Sequence, residues 1–180
     1  MLIFHWYKFN HSKLEYVNLI SSIFKKVDLN KTINKLEKYC SFSEKCKSDI
    51  IKKLYDWKIY NNQNEIINHL IQHNYINENR YALLYCLGKF NSRKWGKIKI
   101  SNNLKRKGIK EKDINESIKK IPETKYLNVL SNLIIKKSQE IKEIDIFKKK
   151  SKIARYLYQK GFESNLIWNQ IEVLIKEGND

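Results

Sequence analysis

The sequence predicts an all-α protein, a tandem and curved array of three three-helix repeats. Three observations predict it. From Lys31 onward, apolar residues recur three and four apart, which is the period of one helix face. One proline and five glycines are too few for the many turns of a sandwich or barrel. A pattern also recurs at intervals of about 50 residues, within the range of helical repeat arrays. The stretches KSDIIKKLYDWKI, KIKISNNLKRKGI and KSKIARYLYQKGF align so that Ile50, Ile100 and Ile153 coincide. So do Leu54, Leu104 and Leu157, and then Ile59, Ile109 and Phe162. Gly108 and Gly161 also coincide, with Lys58 in the first copy. Glycine at such a position supplies the left-handed residue that ends a helix. A lone unit of this size is marginal, so stacked units bury a shared core.

Residues 1–30 read as an N-terminal extension, with Leu14, Val17, Ile20 and Phe24 at helical spacing. The first repeat is 31–77. Ile33, Leu36 and Cys40 carry its first helix. Ser43 is placed to cap the second, striped by Cys46, Ile50, Leu54 and Trp57. Asn62 with Glu65 three residues on reads as a capping box for the third, where Ile66, Ile67, Leu70 and Ile71 are apolar. The second repeat is 78–122. Tyr81, Leu84, Tyr85 and Leu87 open it, and Ile114, Ile118 and Ile121 close it before Pro122.

Its middle helix follows Trp95-Gly96 and stops at Gly108. Ile100 and Leu104 share one face, while Trp95 and Ile98 project to roughly the opposite one at ~100° per residue. Two apolar seams predict a helix clamped between neighbours, with a basic strip left in solvent. The third repeat is 123–180, carried by Tyr126, Leu130 and Ile134, then Ile153, Leu157 and Tyr158, then Ile167, Ile171 and Leu174. In copies two and three the next apolar residues fall five and nine positions after Ile109 and Phe162. In copy one that gap is about two longer.

Lys and Arg total 36 against 19 Asp and Glu, a formal charge of +17. A charge this large implies affinity for polyanions, either nucleic acid or an acidic protein surface. The chain is also rich in Lys, Asn, Ile and Tyr, and its only alanines are Ala82 and Ala154. Nucleotide bias inflates lysine in that way without function, so clustering carries the argument rather than total charge.

The three cysteines, Cys40, Cys46 and Cys86, are odd in number with no evident export signal, which predicts reduced thiols in a cytoplasmic protein. His69 and His73 are four apart on a helix, but no third ligand accompanies them, and no metal site is expected. No apolar run approaches the ~18 residues needed to cross a membrane. A monomer without a membrane partner is expected. There is no Gly-rich phosphate loop and no nucleophile elbow. Asp28, Asp49, Asp56, Asp113 and Asp145 follow no common pattern. The expectation is a non-enzyme with no catalytic residues and no cofactor.

Basic residues cluster densely between Lys89 and Lys107. The partner-contact set is Lys89, Arg93, Lys94, Trp95, Lys97, Lys99, Lys105, Arg106 and Lys107. In one reading these cations meet phosphates or acidic side chains, with Phe90 or Trp95 available for stacking. In the other they form a solvated face, with Trp95 in a helix seam. The seam is preferred for Trp95 and contact for the basic set as a whole.

Tyr75 to Ala82, then Lys89-Phe90, Arg93, Trp95-Gly96, Lys99-Ile100, Leu104 and Lys107-Gly108-Ile109, resemble the central signature of RecX, the bacterial regulator of the RecA recombinase. The first copy, YCSFSEKCKSDIIKKLYDW, resembles the opening repeat of that family, and KIARYLYQKGFESNLIW its closing repeat. Two residues depart from the pattern. Asn77 stands where the family favours an acidic residue, and Asn103 where it usually has Glu. The resemblance implies three tandem three-helix repeats and binding along the groove of the RecA–DNA filament. It further implies inhibition of the filament's ATP hydrolysis, strand exchange and coprotease activity, within recombinational repair and the SOS response. Two other readings stay open. The stretch Leu104 to Ile118 resembles a helix-turn-helix, which suits a sequence-nonspecific DNA-binding protein with direct nucleic-acid contact. The third reading is a structural protein whose lysines reflect composition alone.

Overall fold

The computed structural model describes residues 29–175. The expected extension lies outside the described residues, apart from 29 and 30, which are already helical. Helix α1 runs over 29–42. It is followed by α2 (Lys47–Asp56), α3 (Gln63–Gln72), α4 (Glu78–Arg93), α5 (Lys97–Arg106), α6 (Glu111–Lys119), α7 (Glu123–Glu140), α8 (Ile146–Lys160) and α9 (Ser164–Leu174). Among the described residues there is no strand. The chain is the all-α helical repeat that its apolar periodicity predicts.

The described residues form two compact units, one of 29–45 with 49–76 and the other of 46–48 with 77–175. The first closes around Ile33, Leu36, Ile50, Leu54, Ile66 and Leu70. In the second, α4 packs on α6 and α5, and α7 packs on α8 and α9. Its core joins both helix sets through tilted rings. Phe90, Tyr126 and Phe162 follow one another with centroids 5.8 and 5.1 Å apart.

The aligned stretches fold into the same turn three times. The N–H groups of Ile59, Ile109 and Phe162 donate to the carbonyls of Leu54, Leu104 and Leu157 at 2.9, 3.2 and 3.2 Å. The residue before each is left-handed: Lys58 at φ 59°, Gly108 at 78° and Gly161 at 86°. This is the Schellman pattern, in which a left-handed residue lets the chain satisfy the last helix carbonyls. The three isoleucines and three leucines that coincide in the alignment are all fully buried.

Four local expectations are corrected. Ser43 does not cap α2, because that helix starts later, at Lys47, and the Ser43 hydroxyl meets the Lys45 amine instead. Asn62 precedes α3 but makes no side-chain cap bond. Its backbone is left-handed (φ 58°), whereas a capping residue needs extended backbone to aim its oxygen at the helix amides. Leu84 is exposed, because α4 buries the stripe Ala82, Cys86 and Phe90, and Leu84 lies two positions from Ala82 and Cys86, across the helix. Ile98 is 46% exposed, so α5 is buried on the Ile100/Leu104 face and not on two opposite seams. Asn77, in contrast, works as a cap: its side chain accepts the Arg80 N–H at 3.0 Å.

Candidate functional site

The basic set is arranged by a junction between α5 and the turn after α8. The Gly96 N–H donates to the Lys160 carbonyl at 2.8 Å and the Ile98 N–H to the Gly161 carbonyl at 3.1 Å. First-turn amides, which have no partner inside their own helix, thereby find acceptors. Tyr126 completes the junction from below. Its hydroxyl accepts the Lys97 N–H at 3.0 Å and donates to the Glu163 carboxylate at 2.5 Å. Burial, and then the bond to Glu163, push its phenol well above the usual range.

Two lysines then reach across. The Lys99 amine donates to the Gln159 carbonyl at 2.9 Å, and the Lys160 amine to the Arg93 carbonyl at 3.2 Å. Lys99 thus sits at the carbonyl end of α8 and Lys160 at that of α4, where the helix dipole favours positive charge. Trp95 is half-buried against the core, with the Lys89 and Lys99 amines 5.4 and 4.8 Å from a ring centre. It is thus both packed and flanked by cations. Phe90 is 1% exposed and is not available for stacking, because α4 turns it into the aromatic core.

The rest of the set divides. Lys97 pairs with Glu123 at 2.7 Å and Lys105 with Glu111 at 3.0 Å. Lys107 lies over Tyr81, 5.6 Å from its ring centre. The Lys94 amine turns back onto the Asn91 carbonyl at 2.7 Å. Arg106 donates to the Asn103 side-chain oxygen at 2.8 Å, and Asn103 in turn donates to the Lys99 carbonyl at 2.7 Å. Among the described residues, Lys89, Arg93, Lys99, Arg106 and Lys160 have no carboxylate partner. Lys160 shows the consequence. Burial, and then the charges of Lys99 and Arg93, hold its amine below the usual lysine range.

Lys160 was not in the set read from the sequence. It precedes Gly161 as Lys107 precedes Gly108, but that register gives no sign that it meets Arg93. No group of three metal-ligating side chains occurs among the described residues. The rings of His69 and His73 stack at 4.0 Å, and His69 is bonded to Glu37 at 2.8 Å.

Family models match at two places: RecX, second three-helix domain, over residues 77–118, and RecX, third three-helix domain, over 124–171, together half of the chain. The chain belongs to the RecX family. Among RecX relatives, Regulatory protein RecX of Bacillus cytotoxicus is 32% identical over 116 residues, 64% of this chain and 43% of the relative. That of Clostridium acetobutylicum is 31% identical over 116 residues, 62% of this chain and 51% of the relative. The chain thus spans about half the length of the curated relatives it matches.

A crystal structure of RecX from Lactobacillus salivarius has a TM-score of 0.73 at 26% identity, covering 83% of this chain and 97% of that one. A crystal structure of regulatory protein RecX has a TM-score of 0.77 at 23% identity, covering 88% and 76%. These likenesses fix the RecX fold for the chain. No described helix is long and apolar enough to cross a membrane.

Proposed function

We propose that this RecX-family chain regulates RecA by binding the RecA–DNA filament and inhibiting its ATP hydrolysis, strand exchange and coprotease activity. The supporting observation is that family membership and the uncompensated cations fall on the same residues. Arg93, Lys99 and Arg106 lie on or beside the helix that the second RecX domain contributes. A strip of cations along a helical repeat suits a polyanionic polymer rather than a small ligand. In this reading the chain acts as a cytoplasmic monomer without catalysis, and its repeats are 31–77, 78–122 and 123–180.

The test is RecA ATP hydrolysis on single-stranded DNA, with wild type and a variant carrying Arg93→Glu, Lys94→Glu and Arg106→Glu. Inhibition by wild type that the variant loses, at unchanged helical circular dichroism, supports the reading. Wild type that leaves hydrolysis untouched, or binds naked DNA as tightly as the filament at moderate salt, leaves a sequence-nonspecific DNA binder instead.

A further inference from the structure

Beside the basic junction lies an open groove of about 630 Å³ between α5 and the C-terminal end of α8. Lys99, Asn102, Asn103 and Arg106 line one wall, and Tyr158 and Gln159 the other. No carboxylate lines it. Tyr158 is 44% exposed, yet it is not a loose surface ring. Its hydroxyl accepts the Trp168 indole N–H at 2.9 Å and bonds the Ser164 hydroxyl at 2.9 Å. Two bonds at its hydroxyl hold the tip of this exposed ring in place before any ligand arrives. Arg106 is similarly held through Asn103, a neutral partner that aims the guanidinium and leaves its charge uncompensated.

We infer that this groove, with Lys160 between its lining residues Gln159 and Gly161 in the chain, binds single-stranded nucleic acid, stacking an unpaired base on Tyr158 and holding phosphates on Lys99, Arg106 and Lys160. The inference deepens the reading given under Proposed function and rests on its basic site. Three features favour a single strand over an acidic protein or a duplex. The cations crowd without carboxylates, so an anion of distributed charge relieves their mutual repulsion. A preset aromatic face takes any base whose π-surface is free, which a duplex hides. Asn102, Asn103 and Gln159 add amide groups that hydrogen-bond base edges or phosphate oxygens.

The experiment uses the whole chain, without RecA, and a fluorescent oligothymidylate read by anisotropy across a salt series. Wild type is expected to bind, with unlabelled duplex a poor competitor. Tyr158→Leu should weaken binding about fivefold to 150-fold, as truncating a stacking platform does, without changing the salt slope. Lys160→Gln keeps a donor for the Arg93 carbonyl but removes the charge. It should flatten the slope of log affinity against log salt by about 0.7. Tyr158→Phe keeps the ring but loses the bonds to Trp168 and Ser164, and should fall between wild type and Tyr158→Leu.

No binding by wild type overturns the inference. So does equal competition by duplex, or variants that bind with unchanged affinity and slope. RecA ATP hydrolysis is measured beside it with the same variants. Intact inhibition together with oligonucleotide binding that ignores Tyr158 and Lys160 sinks this groove and spares the regulator reading. The groove behaviour expected here, in a chain that leaves RecA untouched, does the reverse.

Discussion

Gly96 and Gly161 are in backbone contact across the junction. A Cβ on Gly96 would lie 2.1 Å from the Gly161 carbonyl oxygen, and one on Gly161 would lie 2.2 Å from the Lys99 Cβ. Neither neighbour is the end of a flexible side chain, so a methyl at either place forces the two helix sets apart. Gly108 occupies the same turn one copy earlier, with the same left-handed backbone, but a Cβ there meets nothing within 4 Å.

The two turns therefore separate conformational strain from contact. Gly108→Ala should cost about 1–2 kcal/mol, the strain of a left-handed alanine. Gly161→Ala should cost that and a further ~1–3 kcal/mol for overpacking. Gly96→Ala, where φ is −73° and unstrained, should show the overpacking alone. Urea unfolding midpoints decide. If Gly161→Ala is no worse than Gly108→Ala, the junction is not closed in solution.

The first copy carries the mirror of this prediction. Lys58 holds the left-handed position without being glycine, and it is exposed. Lys58→Gly relieves about 1–2 kcal/mol of strain. It gives back ~0.4–1 kcal/mol through the freer unfolded chain. A net gain of up to about 1.6 kcal/mol is expected in thermal or urea unfolding. A loss of stability would mean that the lysine side chain is making contacts of its own at this turn.

These turns were legible in the sequence because glycine and apolar spacing are local signals. Aligning Leu54, Leu104 and Leu157 found the turn and set Lys58 at the glycine position; the shared hydrogen bond and the left-handed backbone of Lys58 are what the structure adds. What failed were statements that depend on where a helix starts or on what lies beside it. Ser43 and Asn62 are residue types that cap, but α2 starts too late for one and the chain enters α3 too tightly for the other. Phe90 reads as exposed in a basic run until Tyr126 and Phe162 are seen to surround it. Lys160 joins Arg93 only through folding, and no local spacing encodes that contact. The pairing of Lys97 and Lys105 with Glu123 and Glu111 was hidden for the same reason.

Stability should fall between pH 9 and 11 through the buried thiols. Burial pushes Cys86 from 9.0 up to about 11. The unfolded thiol releases its proton near pH 9, while the folded one holds it, so above pH 9 the unfolded state binds fewer protons and gains relative stability. The contribution is fully present below pH 9 and lost as pH rises through about 11, for a total on the order of 2–3 kcal/mol. Lysines begin to titrate in the same range, so the check is a difference. Cys86→Ala should lower stability overall, yet lose less of it between pH 8.5 and 10.5 than wild type does. Parallel curves for the two proteins would place the thiol in contact with water.

Position and total charge make opposite statements about binding, and the ion pairs separate them. Lys97→Gln, Lys105→Gln, Arg106→Gln and Lys160→Gln each remove one unit from the same +17. If net charge alone draws the chain to a polyanion, as it would in a protein whose lysines reflect composition, the four variants lose affinity equally. If the site does, they sort by partner. Lys97 and Lys105 are already engaged by Glu123 and Glu111, and surface pairs of this kind are worth only about 0–1 kcal/mol to stability, so both variants should fold. Arg106 lines the groove, Lys160 lies in the chain between its lining residues Gln159 and Gly161, and neither has a carboxylate to neutralise it, whereas Lys105 lines the groove but is held by Glu111. Loss of Arg106 or Lys160 should weaken binding to the filament or to an oligonucleotide more than the loss of the paired lysines does. The salt slope should flatten by about 0.7 for each phosphate contact removed on a single strand. Paired lysines that matter as much as Arg106 and Lys160 would mean that charge acts at a distance, and that the cluster at the junction is not a site.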